Sequence, residues 1–235
     1  MDEFGGNKNG FAHNLEYDLR ENVIVSKNND EFYKIIFENR DDEMAEAFQF
    51  AGTSKISQED ISEINQHTSV VYLVGEAGNL EKVHQIIKLT NTVLMLGGLG
   101  VKIETTGNAV GCTWWRHLND KMDPMEIWNT FVTIVEEQDY YYTCGMHNFS
   151  LPDIITFKNQ LSLEEAQWLM QYFCLYNILE RPILNNNDTF SITKDTPNFL
   201  LKHSECRHFE QNDLFYNPYG IWALARKGIG PKENG

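Results

Sequence analysis

Residues Ser69 to Thr105 read SVVYLVGEAGNLEKVHQIIKLTNTVLMLGGLGVKIET. Ser69 to Gly75 is a short apolar run rich in β-branched residues, which predicts a buried strand. Asn79 then predicts a helix cap, after which Leu80, Val83, Ile86, Ile87, Val93 and Leu94 recur at helical spacing. Gly97 and Gly98 end that helix, and Leu99 to Thr105 predicts a second strand. Strand, helix and strand within about 36 residues predict a βαβ unit, with parallel strands and a right-handed crossover.

Upstream, about the first 28 residues are rich in Asn, Gly and charge and read as loop or extended chain. An amphipathic helix is expected from Asp30 to Ala51, with Phe32, Ile35, Ile36, Ala47, Phe48 and Ala51 on its apolar side. Glu38, Asp41, Asp42, Glu43 and Glu46 form its wet side and stand as the candidate partner-binding residues. Ser57 and Asp60 have the spacing of a capping box, which predicts a second, short helix with Ile61 and Ile64 inward.

Downstream, Asn108 to Asn119 reads as a packed helix or turn. Asp123-Pro124-Met125-Glu126 is a helix start, with Ile127, Trp128, Phe131, Ile134 and Val135 as the buried face. Tyr140–His147 and Ile154–Lys158 predict two strands, and Ser162 with Glu165 caps a further helix. The last quarter is strand-like over Thr189–Thr193, Phe199–His203 and Ile221–Arg226, with a turn at Asn217-Pro-Tyr-Gly220. The tail 228–235 reads as a frayed end. The expected fold class is α+β: a single domain with a central mixed sheet containing one βαβ unit, helices packed on it and an N-terminal helical extension. The expected boundaries are an acidic, mainly helical extension over 1–66, a core over 67–227 and a flexible tail over 228–235.

The charge is the strongest compositional signal. Among 235 residues, 34 are acidic and 19 basic, a net charge of −15. Residues 1–66 hold 15 of the acids and 6 of the bases. A nucleic-acid binder needs a basic face to displace phosphate counterions, and an anionic membrane attracts basic segments. The excess of acid argues against both, so neither nucleic acid nor membrane is expected as a partner. The N-terminus lacks the basic and apolar regions of a signal peptide. The four cysteines, Cys112, Cys144, Cys174 and Cys206, form no CxxC pair, which suits reduced thiols and a cytoplasmic protein.

Standard phosphate and hydrolase motifs are absent. There is no GxxxxGK[ST], no HExxH and no GxSxG, and Gly97-Gly98-Leu99-Gly100 opens a strand rather than a helix. The densest chemistry lies in Cys144-Gly-Met-His147-Asn-Phe-Ser-Leu-Pro-Asp153. A Cys144–His147 pair makes a thiolate nucleophile, with Asp153 or Asn148 orienting the ring; Cys144, His147 and Asp153 are the candidate catalytic residues. The competing reading makes Cys144 a small buried filler and His147 a bonded turn residue. No cofactor is expected; an alternative zinc site would draw on Cys144, His147, His203 and Cys206, whose CxxH and HxxC spacings mirror each other. The tryptophans Trp114, Trp115, Trp128, Trp168 and Trp222 sit in apolar patterns and are expected in the core.

Four blocks carry a resemblance: Gly97-Gly-Leu-Gly-Val-Lys-Ile-Glu-Thr-Thr-Gly107, Trp114-Trp115, Cys144 to Asp153, and Asn217-Pro-Tyr-Gly-Ile-Trp222. Together the chain resembles an uncharacterised bacterial family, domain of unknown function 4261, over about residues 60–226. The resemblance implies a bacterial, stand-alone α+β protein and brings no reaction, cofactor or catalytic residue. The functional expectation therefore rests on the charge: a cytosolic protein-binding module, an immunity-type inhibitor or adaptor for a basic effector. The alternative is an enzyme of unspecified reaction using Cys144, His147 and Asp153; the absent motifs weigh against it.

Overall fold

The computed structural model describes residues 17–27, 31–76 and 78–227. Of the loop or extended stretch expected over about the first 28 residues, 17–27 are described and hold two strands, Tyr17–Arg20 and Val23–Ser26; the rest of it and the frayed tail over 228–235 lie outside the described residues. The fold class is α+β, with a mixed sheet and helices packed on sheets. The chain divides into two compact units.

The first unit takes the described residues up to Glu76, with His84–Val101 and Ala109–Asp120. Strands β1 (Tyr17–Arg20), β2 (Val23–Ser26), β3 (Phe32–Asn39) and β4 (Ser69–Val74) form an antiparallel sheet in that order. The helix expected over Asp30–Ala51 is thus corrected: its first half is β3, and only α1 (Met44–Gly52) is helical. The reason lies in the period. Tyr33 and Ile35 are buried while Phe32 and Lys34 are exposed, an alternation that suits a strand. Phe32, Ile35 and Ile36 also fit a helical spacing, but β-branched and aromatic residues paired to β2 and β4 favour the ladder. The helical extension is therefore partly a sheet.

Helix α2 (Gln58–Ile64) starts where the capping box places it: Ser57 Oγ accepts from the Asp60 N–H, and the Asp60 carboxylate accepts from the Ser57 N–H. Helix α3 (Leu80–Met95) begins at Asn79, whose Oδ1 accepts from the Lys82 N–H at 3.1 Å. Within this unit, Ile86 and Leu89 of α3 pack against Tyr17, Ile24, Tyr33 and Ile35 of the sheet. Burying each such side chain contributes about 1.5–3 kcal/mol relative to leaving it exposed. Helix α4 (Cys112–Lys121) buries Trp115, whose indole N–H donates to the Ile87 carbonyl at 3.2 Å.

The expected βαβ unit is also corrected. Strand β4 pairs antiparallel with β3, while β5 (Gly100–Ile103) pairs with β6 (Asn108–Gly111) in a two-stranded ladder. Both predicted strands exist. Strand β5 finds β6 across the short connection 104–107, which costs little entropy to close, while β4 pairs with β3 across the longer stretch 40–68.

The second unit takes 78–83, 102–108 and 121–227 among the described residues. Asp123 caps α5 (Pro124–Phe131) with Pro at its first position, as read; the helix stops at Phe131, and Ile134 and Val135 belong to β7 (Thr133–Glu136) instead. Strands β8 (Tyr140–Cys144), β9 (Asp153–Phe157), β10 (Thr189–Phe190), β11 (Phe199–Ser204) and β12 (Ile221–Arg226) complete a six-stranded sheet of order β10-β11-β12-β9-β8-β7. Its one parallel pair among the described strands is β9 with β12, from Asp153 opposite Ile221 to Thr156 opposite Leu224. Helix α6 (Leu163–Glu180) begins in a capping box between Ser162 and Glu165 and packs on β9.

Candidate functional site

Strand β8 ends at Cys144, so His147 does not continue it. Gly145 turns the chain with φ 125°, and Met146–Phe149 forms a single 3-10 turn that leads back towards β9. Asn148 fastens this turn: its amide donates to the carbonyls of Phe131 at 3.2 Å and Gly145 at 2.9 Å, and it accepts from the Thr105 hydroxyl at 2.9 Å. Arg181, just past α6, donates to the Phe149 carbonyl at 2.7 Å.

Asp153, 4% exposed, is the hub. Its Oδ1 accepts from the Thr143 hydroxyl at 3.0 Å and from the Met146 N–H at 3.2 Å, and its Oδ2 accepts from the Asn217 amide at 2.6 Å. Asn217 also donates to the Leu151 carbonyl at 3.0 Å and accepts from the Tyr219 N–H at 2.9 Å. One carboxyl thus ties the end of β8, the 3-10 turn, the start of β9 and the turn before β12. Burial pushes its pKa up to about 7, although the three donors and the Gly145 backbone pull the other way.

Cys144 lies on the sheet face shared with Tyr140 and Tyr142, under the segment that carries Phe209 and Phe215. Its Sγ is 4.0 Å from the Phe215 carbonyl. Burial first, and the Asp153 charge second, push its thiol up to about 12. A thiol in that state is neutral at physiological pH and a poor nucleophile. His147 is buried, both ring nitrogens are without a hydrogen-bond partner among the described residues, and burial lowers its pKa. The hydrogen bonds of Asp153 go to Thr143, Met146 and Asn217 rather than to His147. The geometry of a thiolate–imidazolium pair oriented by a carboxylate is therefore not assembled by hydrogen bonds here.

On this geometry, alkylation of the native protein at pH 7.5 is expected to label the half-exposed Cys206 well before buried Cys144 and Cys174. Peptide mapping of iodoacetamide adducts checks this; fast, selective labelling of Cys144 would contradict it.

Among the residues of the alternative zinc set, His203 is engaged elsewhere. Its Nε2 lies 2.8 Å from the Tyr219 carbonyl, and its ring meets Trp222 edge-on at 4.9 Å. Among the described residues no three His, Cys, Asp or Glu side chains are grouped so as to hold a metal ion. The residues Glu38, Asp41, Asp42, Glu43 and Glu46 are all exposed, at the end of β3 and the start of α1. Arg40 within that stretch is bound to Asp42 at 2.6 Å and to the carbonyls of Asn65 and His67.

The tryptophan reading is corrected in part. Trp115, Trp128 and Trp222 are buried and Trp114 is half-buried, but Trp168 is 50% exposed on α6. Sequence reasoning also missed Asn217 and Thr143 as the partners of Asp153. Asn-Pro-Tyr-Gly reads as turn chemistry alone, and a pairing across 64 residues leaves no local trace.

No family model, no curated protein and no solved structure matches this chain. Among the described residues no helix is long and apolar enough to cross a membrane.

Proposed function

We propose that this chain is an acidic protein-binding module, an immunity-type inhibitor or adaptor that works in the cytoplasm on a basic effector protein. The observation that carries the reading is the net charge of −15, with five carboxylates exposed between residues 38 and 46. Such a surface raises the local concentration of a cationic partner and speeds its capture. The family resemblance adds a bacterial setting to the proposal and no chemistry.

The test is a pull-down with the tagged full chain from its native cells, at low and at moderate salt, with mass spectrometry of the retained proteins. The expected result is one stoichiometric basic protein that is lost as salt rises. Retention of no protein, or of a partner indifferent to salt, contradicts the reading.

A second reading, an enzyme acting through Cys144, His147 and Asp153, is favoured by one observation. All three lie at or beside the turn that leads from β8 to β9, and the buried His147 ring has no hydrogen-bond partner among the described residues. The cysteine-labelling experiment above tests its thiolate form.

A further inference from the structure

Helix α6 is apolar on two sides. One side is core: Ala166, Leu169, Met170, Phe173, Cys174 and Ile178 are all buried. The other carries Trp168, Tyr172, Tyr176 and Leu179, which are 50%, 41%, 38% and 53% exposed. These four recur at i, i+4, i+8 and i+11, so they form one ridge along the helix, about 17 Å long. The rings of Trp168 and Tyr172 stack on each other at 5.8 Å, with 19° between their planes. The ridge is thus a preformed surface rather than four loose side chains. Beside Trp168 a cleft of about 590 Å³ opens between α6 and the α5–β7 segment, with Trp128, Val132 and Ile134 along its wall. A helix that is apolar all round belongs in an interior, and a continuous exposed apolar ridge marks an interaction surface.

The charge says what kind of partner covers it. Helix α6 carries Glu164, Glu165 and Glu180, all exposed, and no Lys or Arg. Of the cations near it, Arg181 is turned onto the carbonyls of Gly78 and Phe149, and Arg226 lies near Glu165, which leaves Glu164 and Glu180 as the rim carboxylates. A second copy of this chain would bring the same carboxylates and a charge of −15 against their like. A cationic partner meets complementary charge at the rim, and its Lys or Arg groups gain contacts over the exposed indole and phenol faces. A ridge with helical spacing matches the grooves of another helix.

We propose that the Trp168–Tyr172–Tyr176–Leu179 face of α6 is the docking site for an amphipathic basic helix of a partner protein, with one apolar anchor of that helix seated in the cleft beside Trp168. This rests on the basic-partner reading and locates it on the molecule. The acids of residues 38–46 act at long range, and α6 supplies the contact that lasts.

The probe is a synthetic 18-residue helical peptide with Leu on one face and Arg on the other, together with its twin in which every Arg is Glu. Binding to the full chain is followed by calorimetry, and Trp168 by its indole NMR signal. The expected result is that the Leu/Arg peptide binds and shifts the Trp168 signal, and that the Leu/Glu twin does not bind. Trp168→Ala with Tyr172→Ala then weakens binding by about tenfold or more, while the far-ultraviolet circular dichroism keeps its helical shape and the urea transition stays cooperative, because neither ring belongs to the buried core. Equal binding of the Leu/Arg peptide by wild type and the double variant overturns the α6 site alone. No binding by wild type at low salt overturns the basic-partner reading with it. A wild-type dimer in sedimentation that the double variant abolishes gives the face to a second copy of the chain and also overturns the proposal.

Discussion

Replacing Asp153 with Ala is expected to lower stability by about 3 kcal/mol or more, read as a shift of the urea midpoint. The Thr143 hydroxyl, the Met146 N–H and the Asn217 amide all aim at this carboxyl, and all three lose their acceptor together. Leaving buried donors without an acceptor costs their full desolvation. A loss below about 1 kcal/mol would contradict the hub role.

The same carboxyl makes stability depend on pH. Burial holds its pKa at about 7 in the fold, against about 3.9 in the unfolded chain. Between those values the folded state keeps the proton and the unfolded state has lost it. This group's contribution is therefore greatest below about pH 4, falls by up to about 1.4 kcal/mol per unit as pH rises towards 7, and levels off above. His147 acts with the opposite sign: burial lowers its pKa, so acid favours the unfolded state. The difference in stability between wild type and Asp153→Asn isolates the carboxyl. It is expected to change between about pH 4 and 7 and to be flat above; a difference that does not vary with pH would contradict the account.

Gly145→Ala is expected to be the second severe change, at about 3 kcal/mol or more. Residue 145 has φ 125°, a region that L side chains rarely adopt. A methyl group there meets the Phe131 carbonyl oxygen and comes within 2.5 Å of the Thr106 side chain and 3.1 Å of the Val132 backbone. Two of those three neighbours are backbone and do not rotate away. Gly97→Ala is the control: φ is 114°, but among the described residues no atom other than those of its chain neighbours lies within 4 Å of the added methyl. It is expected to carry only the conformational cost, about 1–2 kcal/mol. Equal losses in the two variants would show that crowding at Gly145 is relieved elsewhere.

The signals that survive from sequence to structure are the local ones. Ser57 with Asp60, Asp123 with Pro124, and Ser162 with Glu165 all start helices where they were read. Each rests on hydrogen bonds within three residues. The pairing of strands is not local. Ser69–Val74 is a strand in either scheme, but nothing within it distinguishes β3 from β5 as its partner. Phe32, Ile35 and Ile36 fit a helical spacing while Tyr33 and Ile35 fit a strand's, and pairing with β2 and β4 chooses between them. Trp168 shows the same limit on α6, where apolar residues at helical spacing on two faces do not say which face is inward. The segment 144–153 was legible as a concentration of chemistry, while its use as a fold hub depends on Asn217, far along the chain.

The most direct test of the binding account is the association rate of the captured basic partner, measured by stopped flow as sodium chloride is raised. With 34 acidic against 19 basic residues, the account predicts that capture slows strongly. The rate should fall by about tenfold or more between roughly 20 and 300 mM salt, with little change in dissociation. A rate that stays flat across that range would contradict it, because the charge would then have no part in finding the partner.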